Sequence, residues 1–258
     1  MFNYATQPQS IGKVLDSGIR LCFASFPAIV LLAFMAALIT GLPAFFAPPR
    51  PEPGTAVDVA QLMSKTLVPS VLATVVGLVF MNAVMVRIDA TAHARNLSVG
   101  TSLGIGVRKL LPVFIGMLIY LVAVMLGMVL LVIPGFILML SLAFYQMLIV
   151  VDGNRTVDSL RTSHRLVWGN WWRTATVFLV PTVLYLVIYV VLGLVLGFVF
   201  PLADDEEGRA TLEFAINVMT IAVGTFSMPL FYSVALAQLN DLKLRKQGHD
   251  LEARIGSG

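Results

Sequence analysis

Six long apolar runs, separated by short polar segments, dominate the chain. Each run is close to or longer than the ~20 residues that a helix needs to cross the ~30 Å hydrocarbon core of a bilayer. None of them alternates between apolar and polar residues over about ten positions, as a strand of a transmembrane barrel does. The pattern therefore predicts an all-α membrane protein, with six transmembrane helices at about residues 21–46, 67–86, 111–133, 135–151, 174–202 and 212–239.

A short amphipathic segment precedes the first, third and fifth runs, at about residues 10–20, 100–110 and 156–172. Near its start, each segment has a serine followed by isoleucine or leucine; it also contains basic residues and leads into an apolar run, so the chain resembles a loose threefold repeat. A basic face opposite an apolar face is typical of a helix that lies in the membrane interface. We therefore expect three transmembrane hairpins, each preceded by a cytoplasmic amphipathic interfacial helix, in a single membrane domain of residues 1–258.

Lysine and arginine are unevenly distributed among the segments that join the runs. If the N-terminus is cytoplasmic, 14 of the 17 basic residues fall in cytoplasmic segments and 3 in external ones. Cytoplasmic loops of membrane proteins carry such an excess of basic residues. The sequence therefore predicts that both termini are cytoplasmic.

The connection between the third and fourth runs is very short, with Pro134 and Gly135 at its centre. Proline ends a helix because it lacks an N–H and its ring clashes with the preceding turn. Glycine gives the backbone the freedom to reverse direction. We therefore expect a tight hairpin whose turn is formed by Pro134 and Gly135.

Composition and motifs restrict the classes of function. The chain is 58% hydrophobic and 12% charged, whereas soluble domains have about 25% charged residues. The predicted spans contain almost no ionisable residue, which argues against a proton-coupled transporter and an intramembrane enzyme. The sequence has no phosphate-binding loop and no HExxH zinc motif, and its single cysteine, Cys22, cannot form an internal disulfide. We therefore expect no catalytic residue, no metal site and no cofactor.

The stretch "HRLVWGNWWR", at residues 164–173, contains every tryptophan of the chain. Tryptophan rings favour the membrane interface, so one interpretation is an aromatic anchor on an interfacial helix. A second, compatible interpretation is a phospholipid headgroup site, in which arginines pair with phosphate and the rings cover acyl chains. Nucleic acid is disfavoured because the basic run is short. The candidate headgroup residues are Arg161, Arg165, Arg173, Trp168, Trp171 and Trp172.

Two amides within the apolar runs, Asn82 and Gln146, are costly to expose to lipid and should face the interior of the bundle. They leave open a passive or exchange transporter of a small or amphipathic solute. The basic C-terminal segment, from about residue 242, leaves open a role as an assembly partner of another membrane protein.

Residues 132–178 resemble the YciC-like family of bacterial inner-membrane proteins, and they are similar to the membrane domain fused to some glycerophosphodiester phosphodiesterases. The shared pattern is a Pro-Gly turn, an apolar span, an Asp-Gly break, an elbow helix and a Gly-Asn pair before the next span. It is carried by Pro134, Gly135, Asp152, Gly153, Ser159, Ser163, Arg165, Leu166, Gly169 and Asn170. The resemblance implies a bacterial cytoplasmic-membrane protein. It implies no phosphodiesterase activity, because the soluble domain of the fused proteins has no counterpart in this chain.

Together these patterns favour a non-enzymatic protein of the bacterial inner membrane that interacts with lipid and supports envelope homeostasis. We expect its partner to be membrane phospholipid, with anionic phospholipid suited to the arginines. The transporter and the assembly partner are the two alternatives.

Overall fold

The computed structural model describes residues 5–47, 59–199 and 205–256, and every regular element within these ranges is helical. The helices are α1 (Ile11–Gly41), α2 (Val59–Leu62), α3 (Val68–Ala92), α4 (Val99–Arg108), α5 (Leu110–Leu130), α6 (Val132–Ser141), α7 (Tyr145–Val150), α8 (Thr156–Val167), α9 (Trp171–Val199) and α10 (Glu206–Gly256). A 3-10 turn, Leu42–Phe46, follows α1, and a π-helical turn, Met63–Leu67, joins α2 to α3.

Six helical segments in the described part of the chain are long and apolar enough to cross a membrane, which confirms the predicted all-α class and the number of candidate spans. They are Ile11–Phe46, Val59–Ala92, Leu110–Leu130, Val132–Val150, Trp171–Phe198 and Glu207–Gly248. Residues 200–202, the end of the predicted fifth span, lie outside the described residues.

Several boundaries differ from the predicted ones. The first predicted interfacial helix, residues 10–20, is not separate, because α1 runs without interruption from Ile11 to Gly41. No turn separates the amphipathic start of α1 from its apolar continuation. Gly18, within that start, is buried against Val234 of α10. The third predicted interfacial helix, residues 156–172, ends early: α8 stops at Val167, and α9 already begins at Trp171.

The core lies towards one end of the bundle, where α3, α7 and the second half of α10 meet. α1 packs mainly against α10 and α3, and α8 covers α7. By contrast, the second half of α5 and most of α9 beyond residue 181 are exposed. The largest fully buried side chains include Leu21, Ile29, Met85, Phe144, Leu148 and Leu239.

The turn between α5 and α6 is displaced from its predicted position. Leu131, with φ −161° and ψ 136°, is the residue between the two helices, and Pro134 and Gly135 both lie inside α6. Pro134 is tolerated there because the N–H groups of a first helical turn have no partner within the helix. A Cβ on Gly135 would lie 2.5 Å from Sδ of Met128, so this glycine permits close packing of α6 on α5 rather than the turn itself.

The predicted continuous span 135–151 is broken. α6 ends at Ser141, α7 begins at Tyr145, and the break is bridged by Ser163 of α8. The Ser163 hydroxyl donates to the Ser141 carbonyl at 2.7 Å and accepts from the Phe144 N–H at 3.1 Å. A buried backbone N–H or C=O that has no partner within its helix needs a hydrogen-bond partner elsewhere. Ser163 therefore supplies the hydrogen bonds that the interrupted helix cannot make.

Replacing Ser163 by alanine should lower the free energy of unfolding by about 2 kcal/mol, because two buried backbone groups lose their partner. Ser159→Ala is the matched control, since this buried hydroxyl on the same helix donates only to the nearby Thr156 carbonyl. Unfolding in detergent micelles should show a loss for Ser159→Ala less than half as large. Equal losses would mean that the bridge adds nothing beyond ordinary burial of a hydroxyl.

Candidate functional site

A large cavity lies between α1, α9 and α10, with α3 and α7 at its inner wall. Its volume is about 870 Å³, and most of its lining is apolar. Ligand pockets for small molecules span ~300–1,000 Å³ and are mostly apolar, with a few converging polar groups. This cavity meets both criteria. Its polar lining residues are Thr40, Gln146, Thr182, Tyr185, Ser227 and Tyr232.

The inner wall of the cavity carries a chain of amide hydrogen bonds. Gln146 Nε2 donates to Asn82 Oδ1 at 3.1 Å, and Asn82 Nδ2 donates to the Gly106 carbonyl at 3.4 Å. Asn82 is fully buried, whereas Gln146 is half-buried and lines the cavity. Tyr232 lines it beside Gln146. Asn82 lies inside the bundle and orients the amide that Gln146 presents to the cavity.

Aromatic side chains form part of the cavity boundary. Phe231 stacks on Phe178 with ring centroids 5.3 Å apart, which joins α10 to α9 at one end. Phe226 stacks on Phe26 of α1 at 5.2 Å. Beyond these contacts α9 stands away from the bundle, and lining residues such as Tyr185 are exposed. The cavity is therefore open to the exterior along α9 rather than sealed.

The six candidate headgroup residues fall into two groups. Arg161 and Arg165 lie on the exposed face of α8, and Trp168 and Trp172 follow with 66% and 78% of their surface exposed. Trp171 differs: it packs partly against the core, its ring meets that of Trp172 edge-on, and its Nε1 has no hydrogen-bond partner among the described residues.

Arg173 is engaged inside the protein. Its Nε donates to Asp241 Oδ2 at 3.0 Å, and its guanidinium also donates to the Gln9 carbonyl. Arg245 donates to the same carboxylate at 2.9 Å, and the Gln9 N–H donates to its other oxygen at 2.7 Å. Arg173 is paired and its side chain is only 15% exposed, so its guanidinium is not presented to a headgroup at the surface.

The buried face of α8 is formed by two small hydroxyl residues and three apolar residues: Ser159, Leu160, Ser163, Leu166 and Val167. His164, on the same helix, is only half-buried. Packing against the break between α6 and α7 selects small hydroxyls, and an apolar periodicity does not reveal them.

Two further ion-pair clusters lie at the same end of the bundle and were not predicted. Asp89, nearly buried, forms an ion pair with Arg95, and Nδ1 of His93 lies 3.2 Å from its Oδ1. Lys243 pairs with Asp152 at 2.6 Å. The carboxylate and histidine side chains of the described residues do not form a metal-binding group. Lys243 holds the start of the basic C-terminal segment against the bundle.

Residues 10–239 match the family model described as a domain of unknown function, DUF7847, so the chain belongs to this family. No curated protein and no solved structure matches the chain. The resemblance to YciC-like proteins therefore stays a prediction.

Proposed function

We propose that this protein binds a phospholipid, or a lipid of similar shape, in the cavity between α1, α9 and α10, without catalysing a reaction. The observation that carries the proposal is the cavity itself: about 870 Å³, mostly apolar, with several uncharged polar groups in its lining. Acyl chains suit the apolar lining, and the Gln146 amide and the Tyr232 hydroxyl can bond to the ester or glycerol oxygens.

The opening along α9 supports a lipid over a water-soluble ligand. The exposed part of α9 belongs to a candidate membrane span, so its surroundings at that level would be hydrocarbon. A lipid could then enter sideways without crossing water. Among the described residues, no charged side chain lines the cavity, so the lining suits acyl chains and ester groups better than an ionic ligand.

The setting of this proposal is the bacterial cytoplasmic membrane, with both termini cytoplasmic, three hairpins and interfacial helices at the cytoplasmic side. Support comes from the distribution of 14 basic residues against 3 and the positive-inside rule. α4 and α8 would be two of the interfacial helices. A lipid-binding protein in this membrane could support envelope homeostasis.

Photolabelling tests the cavity. A phospholipid with a photoreactive group in the middle of one acyl chain should label residues 181–188 and 222–232 in preference to other apolar surfaces. Ala222→Trp should lower this labelling at least about threefold, because the new ring occupies space that the chain needs. The label is located by mass spectrometry of the digested protein, reconstituted in bilayers.

Val190→Trp is the matched control, because it adds the same ring to α9 at an exposed position outside the cavity lining. It should leave the labelling of residues 222–232 unchanged. Label spread evenly over exposed surfaces, such as residues 121–130 of α5, would contradict the proposal. So would equal effects of the two tryptophans.

A second candidate, the passive exchange of an amphipathic solute, is favoured by one observation. Gln146 lies on α7, directly after the break in the helix, and it lines the cavity. Broken helices at membrane depth are typical of transporter binding sites. In proteoliposomes, the protein should then accelerate the movement of a fluorescent phospholipid between the two leaflets. The variant Gln146→Leu should slow this movement. Binding without movement would leave only the first candidate.

A further inference from the structure

Four exposed residues at the junction of α8 and α9 form a surface that we call the Arg–Trp patch: Arg161, Arg165, Trp168 and Trp172. The two arginines are four positions apart, so they lie one above the other on the helix. The two tryptophans are largely exposed, at 66% and 78%. None of the four lines the cavity, so the patch and the cavity are separate surfaces.

The position of the Arg–Trp patch is fixed by the packing of α8 against the rest of the protein. The opposite face of α8 is buried through Ser159, Leu160 and Ser163, and Ser163 bridges the broken helix. At the end of α8 the chain turns through Gly169, whose φ is +86°; glycine adopts this conformation at little cost. The arginines and tryptophans are therefore presented by a fixed scaffold, which reduces the entropy lost on binding.

The charge of the patch is not neutralised within the described chain. Other basic residues are paired, such as Arg173 with Asp241 and Lys243 with Asp152. Neither Arg161 nor Arg165 makes an ion pair or a hydrogen bond in residues 5–47, 59–199 and 205–256. Arg155 and Asp158, also exposed on this segment, offset each other in charge. The patch therefore keeps about two positive charges.

The position of the patch relates this charge to a membrane. A candidate span begins at Trp171, so the two exposed tryptophans lie where the chain enters the apolar layer. Indole rings favour that depth, and arginines beside them reach the level of headgroup phosphates, to which guanidinium groups bond strongly. A water-soluble polyanion would use the arginines, but it would leave both rings without an apolar partner.

We infer that the Arg–Trp patch binds the phosphate of anionic phospholipid at the membrane surface, with Arg161 and Arg165 as the cationic groups and Trp168 and Trp172 against the upper acyl chains. This inference goes beyond lipid binding in the cavity and does not depend on it. Basic residues near a membrane surface attract anionic lipid, and two of them are enough to enrich it several-fold around the patch.

Quenching of tryptophan fluorescence tests this inference, because all three tryptophans lie in or next to the patch. The full chain is reconstituted in bilayers of phosphatidylcholine and phosphatidylglycerol, with brominated acyl chains on only one of the two lipids at equal mole fraction. Quenching should be at least about twofold stronger when the bromines are on phosphatidylglycerol. The difference should shrink as salt is added.

The variant Arg161→Gln/Arg165→Gln should abolish this difference while leaving the fold intact, since both side chains are exposed. Its control is Lys13→Gln/Arg20→Gln, which removes the same charge from the exposed start of α1 and should keep the difference. Equal quenching by the two brominated lipids in the unchanged protein would overturn the inference. An equal loss in the control variant would also overturn it, because net charge would then explain the enrichment.

Discussion

Replacing Asp241 by asparagine should lower the free energy of unfolding by about 3 kcal/mol, because breaking a buried charge cluster leaves its partners uncompensated. Asp241 is only 2% exposed, and its carboxylate accepts hydrogen bonds from Arg173, Arg245 and the Gln9 backbone. Without its charge, two guanidinium groups face each other across a neutral amide. The cluster also joins the segment before α1 to α9 and α10, so its loss should loosen all three.

Unfolding in detergent micelles, followed by tryptophan fluorescence, measures this change. Asp16→Asn is the matched control, because Asp16 forms a 2.9 Å ion pair with Arg20 four residues on, but its side chain is 57% exposed. Exposed pairs contribute little, so we expect a loss below about 0.5 kcal/mol. Similar losses for the two variants would show that burial does not strengthen the Asp241 cluster.

This cluster marks a limit of sequence reasoning. Gln9, Arg173 and Asp241 lie far apart along the chain, and a single sequence contains no signal that they meet. Arg173 therefore looked like part of a basic aromatic stretch at the membrane surface, and Asp241 like a residue just past the last span. Only the packing of α9 against α10 turns both into buried, paired charges.

The helices themselves were predictable because a membrane imposes a minimum length of apolar sequence. All six candidate spans overlap the predicted runs. Their ends were less predictable, since helices continue past the apolar run wherever polar residues find partners. α10 illustrates this point: its apolar run ends near residue 239, but ion pairs of Lys243 and Arg245 support the helix further.

Breaks and turns were misplaced for a different reason. Pro134 and Gly135 have the composition of a turn, but the same residues also suit the first turn of a helix and a close helix contact. The real break, between Ser141 and Tyr145, depends on a hydroxyl of α8 that is distant in sequence. Within the candidate sites, the cost of exposing an amide to lipid predicted an interior position for Asn82 and Gln146; Asn82 is fully buried, and Gln146 is half-buried at the cavity wall. The cavity beside them depends on how α9 diverges from α10, which one sequence does not show.

Replacing Gly18 by leucine should lower the free energy of unfolding by about 3 kcal/mol, the upper part of the range for an overpacked core. A Cβ at this position would lie 2.6 Å from Cα of Val234 and 2.8 Å from its Cγ2. The nearest atom belongs to the backbone of α10, so no change of side-chain rotamer can relieve the overlap. α1 and α10 must move apart, and this is one of the most extensive helix contacts in the protein.

Gly12→Leu is the matched control on the same helix, because nothing lies within 4 Å of a Cβ at Gly12. Leucine is a better helix former than glycine, so this variant should be unchanged or more stable by up to ~1 kcal/mol. Gly18→Ala should likewise lower the free energy of unfolding and Gly12→Ala should raise it, each by a smaller amount than leucine does. If Gly18→Ala stabilised the protein as Gly12→Ala does, helix propensity would outweigh the contact with Val234. Opposite signs would instead mean that α1 and α10 associate through close backbone packing. Transmembrane helices associate in this way because lipid tails are as apolar as the side chains, so no hydrophobic effect drives the helices together.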